Sequence, residues 1–246
     1  MPRSPEIVAF LDEYLRTREV PDSYCPNGLQ VEGEARVSRV GFCVDACMQT
    51  FEQLADCQLV VVHHGLFWPS VSRVVGPVRE QLRFLLQRGM GLYCSHLPLD
   101  KHREVGNNAR LLKLLDLEPE EEFGPVGWTG SFGTPVSRDA ILDRLAPPLG
   151  NSVRLLPFGP ETVGKIAVSS GSGSIGMVAE AVRLGAGMFL TGEAGHPIYH
   201  AARELGMNVL LGGHYATETW GVRALMPVLE ERFGVETRFV DVPTGF

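Results

Sequence analysis

The chain has 246 residues, 44% of them apolar and 21% charged, with a formal net charge of −7 at neutral pH. That length supports a full hydrophobic core, as one large domain or two of ordinary size. The acidic balance gives no overall field for nucleic acid and leaves only a local patch or an assembly cavity to attract it. No apolar run approaches the roughly 20 residues needed to cross a bilayer. The opening Met-Pro-Arg-Ser-Pro-Glu begins an amphipathic segment and does not read as a signal peptide, so a cytoplasmic protein without membrane contact is expected. Five cysteines, without a CxxC pair, suggest a reducing compartment, with Cys43, Cys47, Cys57 and Cys94 as small core residues instead of ligands.

In chain order, Ser4-Pro5-Glu6 reads as a helix start, with Ser4 as the capping hydroxyl and proline at the first helical position. Ile7, Phe10, Leu11, Tyr14 and Leu15 follow at helical spacing. Pro26-Asn27-Gly28 makes a turn into a short extended piece, Leu29 to Glu32. From Val37 the pattern becomes α/β. Val40 to Val44 reads as a strand, Met48 to Ala55 as a helix, and Leu59 to Val62 as a buried strand ending at His63 and His64. Pro77 to Arg88 is the next helix, Leu92 to Cys94 the next strand, and Asn107 to Leu117 another helix. The acidic, proline-bearing stretch from Glu118 to Pro125 is the best linker candidate, dividing a half over residues 1–125 from one over 126–246. In the second half, Arg138 to Leu145, Met177 to Leu184 and Ala201 to Leu205 read as helices. Lys165 to Ser169, Met188 to Leu190 and Asn208 to Leu211 read as strands.

A weak internal repeat relates the halves. Gly89-Met90, a strand and then His96 with Asp100 four residues on corresponds to Gly206-Met207, a strand and then His214 with Glu218 four residues on. Each is preceded by a strand, helix, strand arrangement that ends in a polar cluster: His63-His64 in one half, Glu193 with His196 in the other. The expected fold class is therefore α/β, with two similar, intertwined α/β halves whose strand ends converge on a dinuclear metal site. Strand C-termini are where open α/β sheets place their ligands. If Gly212-Gly213 leads straight into a helix, His214 and Glu218 lie one turn apart on one face. Imidazoles with carboxylates and no plausible thiolate suit Zn, Mn, Fe or Co. Five or six ligands over-supply one ion, so two divalent metal ions per chain fit the count better.

One stretch points elsewhere. Gly171-Ser172-Gly173-Ser174-Ile175-Gly176 matches a dinucleotide-binding fingerprint, with Glu193 at about the expected distance. A glycine-rich turn opening a helix can also hold a phosphate, or simply turn. The late position in the chain favours the purely structural turn.

His63-His64-Gly65-Leu66-Phe67-Trp68, His96-Leu97-Pro98-Leu99-Asp100, Thr191-Gly192-Glu193 and Gly213-His214-Tyr215-Ala216-Thr217-Glu218 together resemble the Nif-three-like dinuclear metal proteins, a family often labelled GTP cyclohydrolase 1 type 2. Asn27-Gly28-Leu29-Gln30 and Gly106-Asn107-Asn108 extend the resemblance nearly end to end. It implies two related α/β halves and a toroidal homohexamer with metal sites facing an inner cavity. It also implies a ligand set of His63, His64, Asp100, His214 and Glu218, with Glu218 bridging. By their strand ends, His63 pairs with His214 on one metal and His64 with Asp100 on the other. His96 and Glu193 are the candidates for catalytic proton transfer. The Phe67-Trp68 loop reads as exposed, a contact for a neighbouring subunit or a cavity wall. The implied function is a metal-dependent hydrolase acting on a nucleotide or related small molecule. The alternative is a non-catalytic, ring-shaped metal-binding protein associated with DNA.

Overall fold

The structure is a computed structural model describing residues 1–150 and 153–246. It is a mixed α/β fold with two sheets and, among the described residues, nine helices. Two compact units divide the chain. The first comprises Met1–Leu99 with Gly221–Val242, the second Asp100–Trp220 with Pro243–Phe246.

The first unit opens with α1 (Ser4–Tyr14), β1 (Gly28–Val31), β2 (Arg39–Asp45), α2 (Met48–Gln53), β3 (Leu59–His64), α3 (Gly76–Arg88) and β4 (Gly91–Cys94). A short helix, α4 (Leu97–Lys101), carries the chain into the second unit. There α5 (Asn107–Lys113), β5 (Glu122–Phe123), β6 (Gly127–Ser137), α6 (Arg138–Leu145), β7 (Arg154–Pro157), β8 (Thr162–Gly173), α7 (Ile175–Arg183), β9 (Met188–Ala194), α8 (Ile198–Leu205) and β10 (Asn208–Leu211) follow. The chain closes with α9 (His214–Phe233) and β11 (Glu236–Phe239).

The first unit's sheet has the order β1-β4-β3-β2-β11, parallel except for β1, which runs antiparallel against β4. The second sheet has the order β5-β6-β8-β9-β10-β7, with β8, β9 and β10 parallel and β7 antiparallel against β10. In both units a strand–helix–strand–helix–strand run forms three adjacent parallel strands. In both, the third strand is flanked by an antiparallel strand that comes earlier in the chain. Parallel strands with helical crossovers are covered on both faces, which is why they read as continuous apolar runs. Val60, Val61 and Val62 in β3, and Phe189 and Leu190 in β9, are fully buried.

Helix α1 starts one residue earlier than the Ser4 cap implies. Arg3 is the capping position, its backbone N–H donating to Glu6 Oε2 at 2.9 Å, and Ser4 is already helical and buried. The segment 118–125 is not a linker: it lies inside the second unit, where Phe123 is buried edge-on against Phe189 with ring centroids 5.3 Å apart. The acidic residues around Phe123 face water and mask this anchor in the sequence. No helix among the described residues is long and apolar enough to cross a membrane.

Leu210, in the middle of β10, is fully buried in the second unit's core with Val163, Ile166 and Leu190. Leu210→Ala should destabilise that unit by about 2–5 kcal/mol, the usual cost of such a core truncation. Urea unfolding should show a lower midpoint at unchanged slope. A midpoint equal to that of the wild type would remove β10 from the core.

Candidate functional site

In the first unit the candidate residues stand on the ends of β3 and β4. His64 is the last ladder residue of β3, paired with Asp45 on β2, and His63 precedes it. His96 lies two residues beyond β4. One ring nitrogen from each of His63, His64 and His96 falls within 4.8 Å of those of the other two. Each imidazole is fixed through Nδ1. His63 Nδ1 is 3.0 Å from the Ser95 carbonyl, His64 Nδ1 is 2.7 Å from Asp45 Oδ1, and His96 Nδ1 is 2.9 Å from Asp22 Oδ2. A carbonyl and a carboxylate only accept, so each Nδ1 carries a proton and Nε2 is the ring nitrogen turned away from that anchor. Trp68 packs against His64 and His96 with ring centroids 5.8 and 5.5 Å away. Phe67 and Trp68 are half-buried against the core, not exposed as the sequence suggests.

The resemblance motif at Asn27 and Gln30 belongs to the same scaffold. Asn27 Oδ1 accepts from the His96 backbone N–H at 2.7 Å, and Gln30 Oε1 from Leu66 N–H at 2.8 Å. The Asp22 side chain is covered and accepts from the N–H groups of Tyr24 and Cys25, from the Asn27 amide and from His96. Burial pushes its carboxyl up, but the Tyr24 N–H, the Asn27 amide and His96 together hold it below the usual carboxylate range.

In the second unit, Glu193 stands near the end of β9, and His214 and Glu218 lie one turn apart on α9, as the glycine-led helix start predicts. His214 Nδ1 is 2.9 Å from Glu193 Oε1, and its Nε2 is 3.2 Å from Glu218 Oε2. Glu218 raises the His214 pKa most, against burial, and Glu193 adds to it, so the imidazole is pushed up to about 9. The bond from His214 in turn holds Glu193 below its ordinary value, opposed by burial and helped by the Ser172 hydroxyl at 3.1 Å. Asp100 is buried, and its Oδ1 accepts from Asn107 Nδ2 at 2.8 Å and Ser170 Oγ at 3.0 Å.

The Gly171–Gly176 stretch serves this arrangement. The β8–β9 register shifts between Ser169 and Ser172, a bulge of the kind that re-aims residues near active sites. It turns the Gly171 N–H onto Thr217 Oγ1, 3.1 Å away. Gly171 has φ +65°, and a Cβ there would collide with Glu218 Oε1. Ser174 caps α7 by accepting from the Met177 N–H. Glu193, the acidic residue of the supposed fingerprint, is occupied by His214 and Ser172. The glycines thus let α9 approach β8 closely, in line with the structural reading of the turn.

The donor set fits a divalent ion. Imidazole Nε2 atoms and carboxylates suit Zn, Mn, Fe or Co, and no thiol competes. Cys94 Sγ points at the His63 carbonyl and at Cys25. The Ser95 hydroxyl, next to His96 in the chain, is buried without a hydrogen-bond partner among the described residues, an orphaned polar atom consistent with a site built to take a further group. Sequence reading missed Asp22, Asp45, Ser170 and Thr217. Only Asp45 carries a signal, being a carboxylate directly after the apolar strand Val40–Val44.

A family model described as Duf34/NIF3 (NGG1p interacting factor 3) matches residues 2–245. A protein of Pyrococcus abyssi named GTP cyclohydrolase 1 type 2 homolog is 45% identical over 98% of both chains. One of Archaeoglobus fulgidus with the same name is 43% identical over 98% of both. Among solved structures, TTHA1606 from Thermus thermophilus is 38% identical with a TM-score of 0.91, covering 99% of this chain and all of that one.

Two outcomes follow from the geometry. Asp45→Asn should leave the fold intact but weaken divalent-metal binding by roughly 10–100-fold, as loss of a ligand-orienting partner usually does. Titration calorimetry with Zn or Mn checks this, and unchanged affinity would separate Asp45 from metal binding. The second outcome concerns pH. His214 has a folded value of about 9, above its ordinary 6.5, so its pairing stabilises the metal-free chain fully below pH 6.5. That contribution fades as pH rises towards 9. Urea midpoints of the metal-free protein should therefore fall more steeply over this range in the wild type than in Glu193→Gln. Equal slopes would refute the pairing.

Proposed function

Because the chain belongs to the Duf34/NIF3 family, we propose that it is a metal-dependent hydrolase acting on a nucleotide or related small molecule. On this reading it holds two divalent cations through His63, His64, Asp100, His214 and Glu218, with Glu218 shared by both. The observation that carries the proposal is the common anchoring of His63, His64, His96 and His214, each through Nδ1 to a carbonyl or carboxylate of its own unit. Such partners fix the tautomer and orientation of metal-binding imidazoles. The name of the Pyrococcus and Archaeoglobus relatives, GTP cyclohydrolase 1 type 2 homolog, supports a nucleotide as the substrate class.

When bound, the cations would supply Lewis acidity towards a water and towards developing negative charge. The remaining work falls to the chain. Asp22 holds the Nδ1 proton of His96, so that His96 Nε2 takes or returns a proton, the division of labour by which a carboxylate orients a general base. Glu193 orients His214 by the same kind of bond. Asn107 and Ser170 hold Asp100 in place through its Oδ1. Trp68 walls the histidines with an apolar ring. Assembly as a homohexamer is part of the proposal, and light scattering coupled to gel filtration tests it.

Glu218→Ala should release both metals, whereas Asp100→Ala should weaken mainly one, as elemental analysis of the purified variants will show. Two metals retained per chain in Glu218→Ala would sink the shared-ligand assignment. His96→Ala should keep both metals yet lose about 10²–10⁴-fold in turnover on a nucleotide panel, the usual span for general acid–base help. A metal-loaded wild type that turns over no nucleotide with Mn, Zn, Fe or Co would refute the hydrolase reading.

A further inference from the structure

Beneath the histidines of the first unit lies a feature that the metal reading does not use. The sulfurs of Cys25 and Cys94 are 3.2 Å apart, and both residues are buried, 2% and 0% exposed. They are 69 positions apart in the chain. Cys94 is the last residue of β4, held in the ladder opposite Gly28. Cys25 is different. It lies in an irregular segment between α1 and β1, fixed by side chains instead of a ladder: its own N–H donates to Asp22 Oδ1 at 3.1 Å, and Gln30 Nε2 approaches its sulfur at 3.5 Å. The same segment supplies Asp22 to His96 Nδ1 and Asn27 Oδ1 to the His96 backbone N–H. Whatever fixes this segment fixes His96.

We propose that Cys25 and Cys94 form a reversible disulfide that pins the 22–27 segment to the end of β4 and so locks the orientation of His96. The sulfurs need close by only about 1 Å to reach the ~2.05 Å bond of a disulfide. The oxidant is a hydroperoxide, small enough to enter when this irregular segment, which no strand ladder holds, opens locally. The Cys25 thiolate attacks one peroxide oxygen, breaking the O–O bond to give the sulfenic acid and, after protonation, water. The Cys94 thiol then attacks the Cys25 sulfur, its proton passing to the displaced hydroxide, which leaves as a second water. Two thiols and one hydrogen peroxide thus give one disulfide and two waters, and a dithiol reductant reverses the change. This inference stands on the first unit alone and does not depend on whether the chain is a hydrolase.

The test treats the full-length, metal-loaded protein with hydrogen peroxide and then blocks the remaining thiols. Intact mass should fall by two hydrogens, and non-reducing peptide mapping should link the Cys25 and Cys94 peptides. Dithiothreitol should restore the starting mass. Cys47, the most exposed of the five cysteines, serves as the internal control and should remain blockable. Cys25→Ser and Cys94→Ser should each abolish the mass loss, while the mapping of the wild type decides the matter even if a variant folds poorly. Hydrogen exchange at the Tyr24 and Cys25 amides, which both donate to Asp22, should slow on oxidation. A link involving any other cysteine, or oxidation of Cys25 that stops at sulfenic or sulfinic acid, would overturn the pairing. An intact Cys25–Cys94 link with unchanged exchange would overturn the pinning.

Discussion

The structure depends most on one repeated bond: an imidazole Nδ1–H donated to a fixed oxygen. It occurs on His63, His64, His96 and His214, with Ser95, Asp45, Asp22 and Glu193 as the acceptors. A histidine at the end of a strand has two soft side-chain torsions and two usable nitrogens. One short hydrogen bond removes both ambiguities at once, because it sets the ring plane and commits the proton. The end of β3 carries His63 and His64, the segments just after β4 and β10 carry His96 and His214, and the acceptors set the orientation of each ring.

The acceptors are in place because of how the backbone is built around them. Asp45 and His64 are register partners across β2 and β3, so their bond follows from the ladder itself. Asp22 needs a turn crowded with N–H donors to remain ionised while buried. In the second unit the contact between α9 and the strand ends requires the absence of side chains. A Cβ on Gly192 would lie 2.6 Å from the Gly171 carbonyl and 2.8 Å from His214 Cα. Glycine there reflects close approach, which a sequence shows only as a gap in the pattern.

Much of this is legible in the sequence, and the reasons differ from element to element. The core strands β3 and β10 announce themselves because burial on both faces gives unbroken apolar runs. The His214–Glu218 pair was readable from helical periodicity once Gly212-Gly213 was taken as a helix start. Strand β6 was not, because its second half is largely exposed and carries the polar, turn-like Gly133-Thr134-Pro135. Strand β11 alternates half-buried with exposed residues, and only its pairing with β2 makes it a strand. The 118–125 segment reads as a linker because its acidic residues hide one buried phenylalanine, Phe123. Asp22 was invisible for a deeper reason: its partner His96 is 74 residues away, and no local pattern encodes such a bond.

The first unit's cluster can also be viewed as a sum of charges. Each of the three imidazoles gives an Nδ1 proton to an oxygen acceptor, and two of those acceptors, Asp45 and Asp22, are carboxylates. Carboxylates set behind the rings favour positive over negative charge in front of them. The arrangement thus selects by sign: it suits a cation, and disfavours a phosphate or carboxylate that approaches without one.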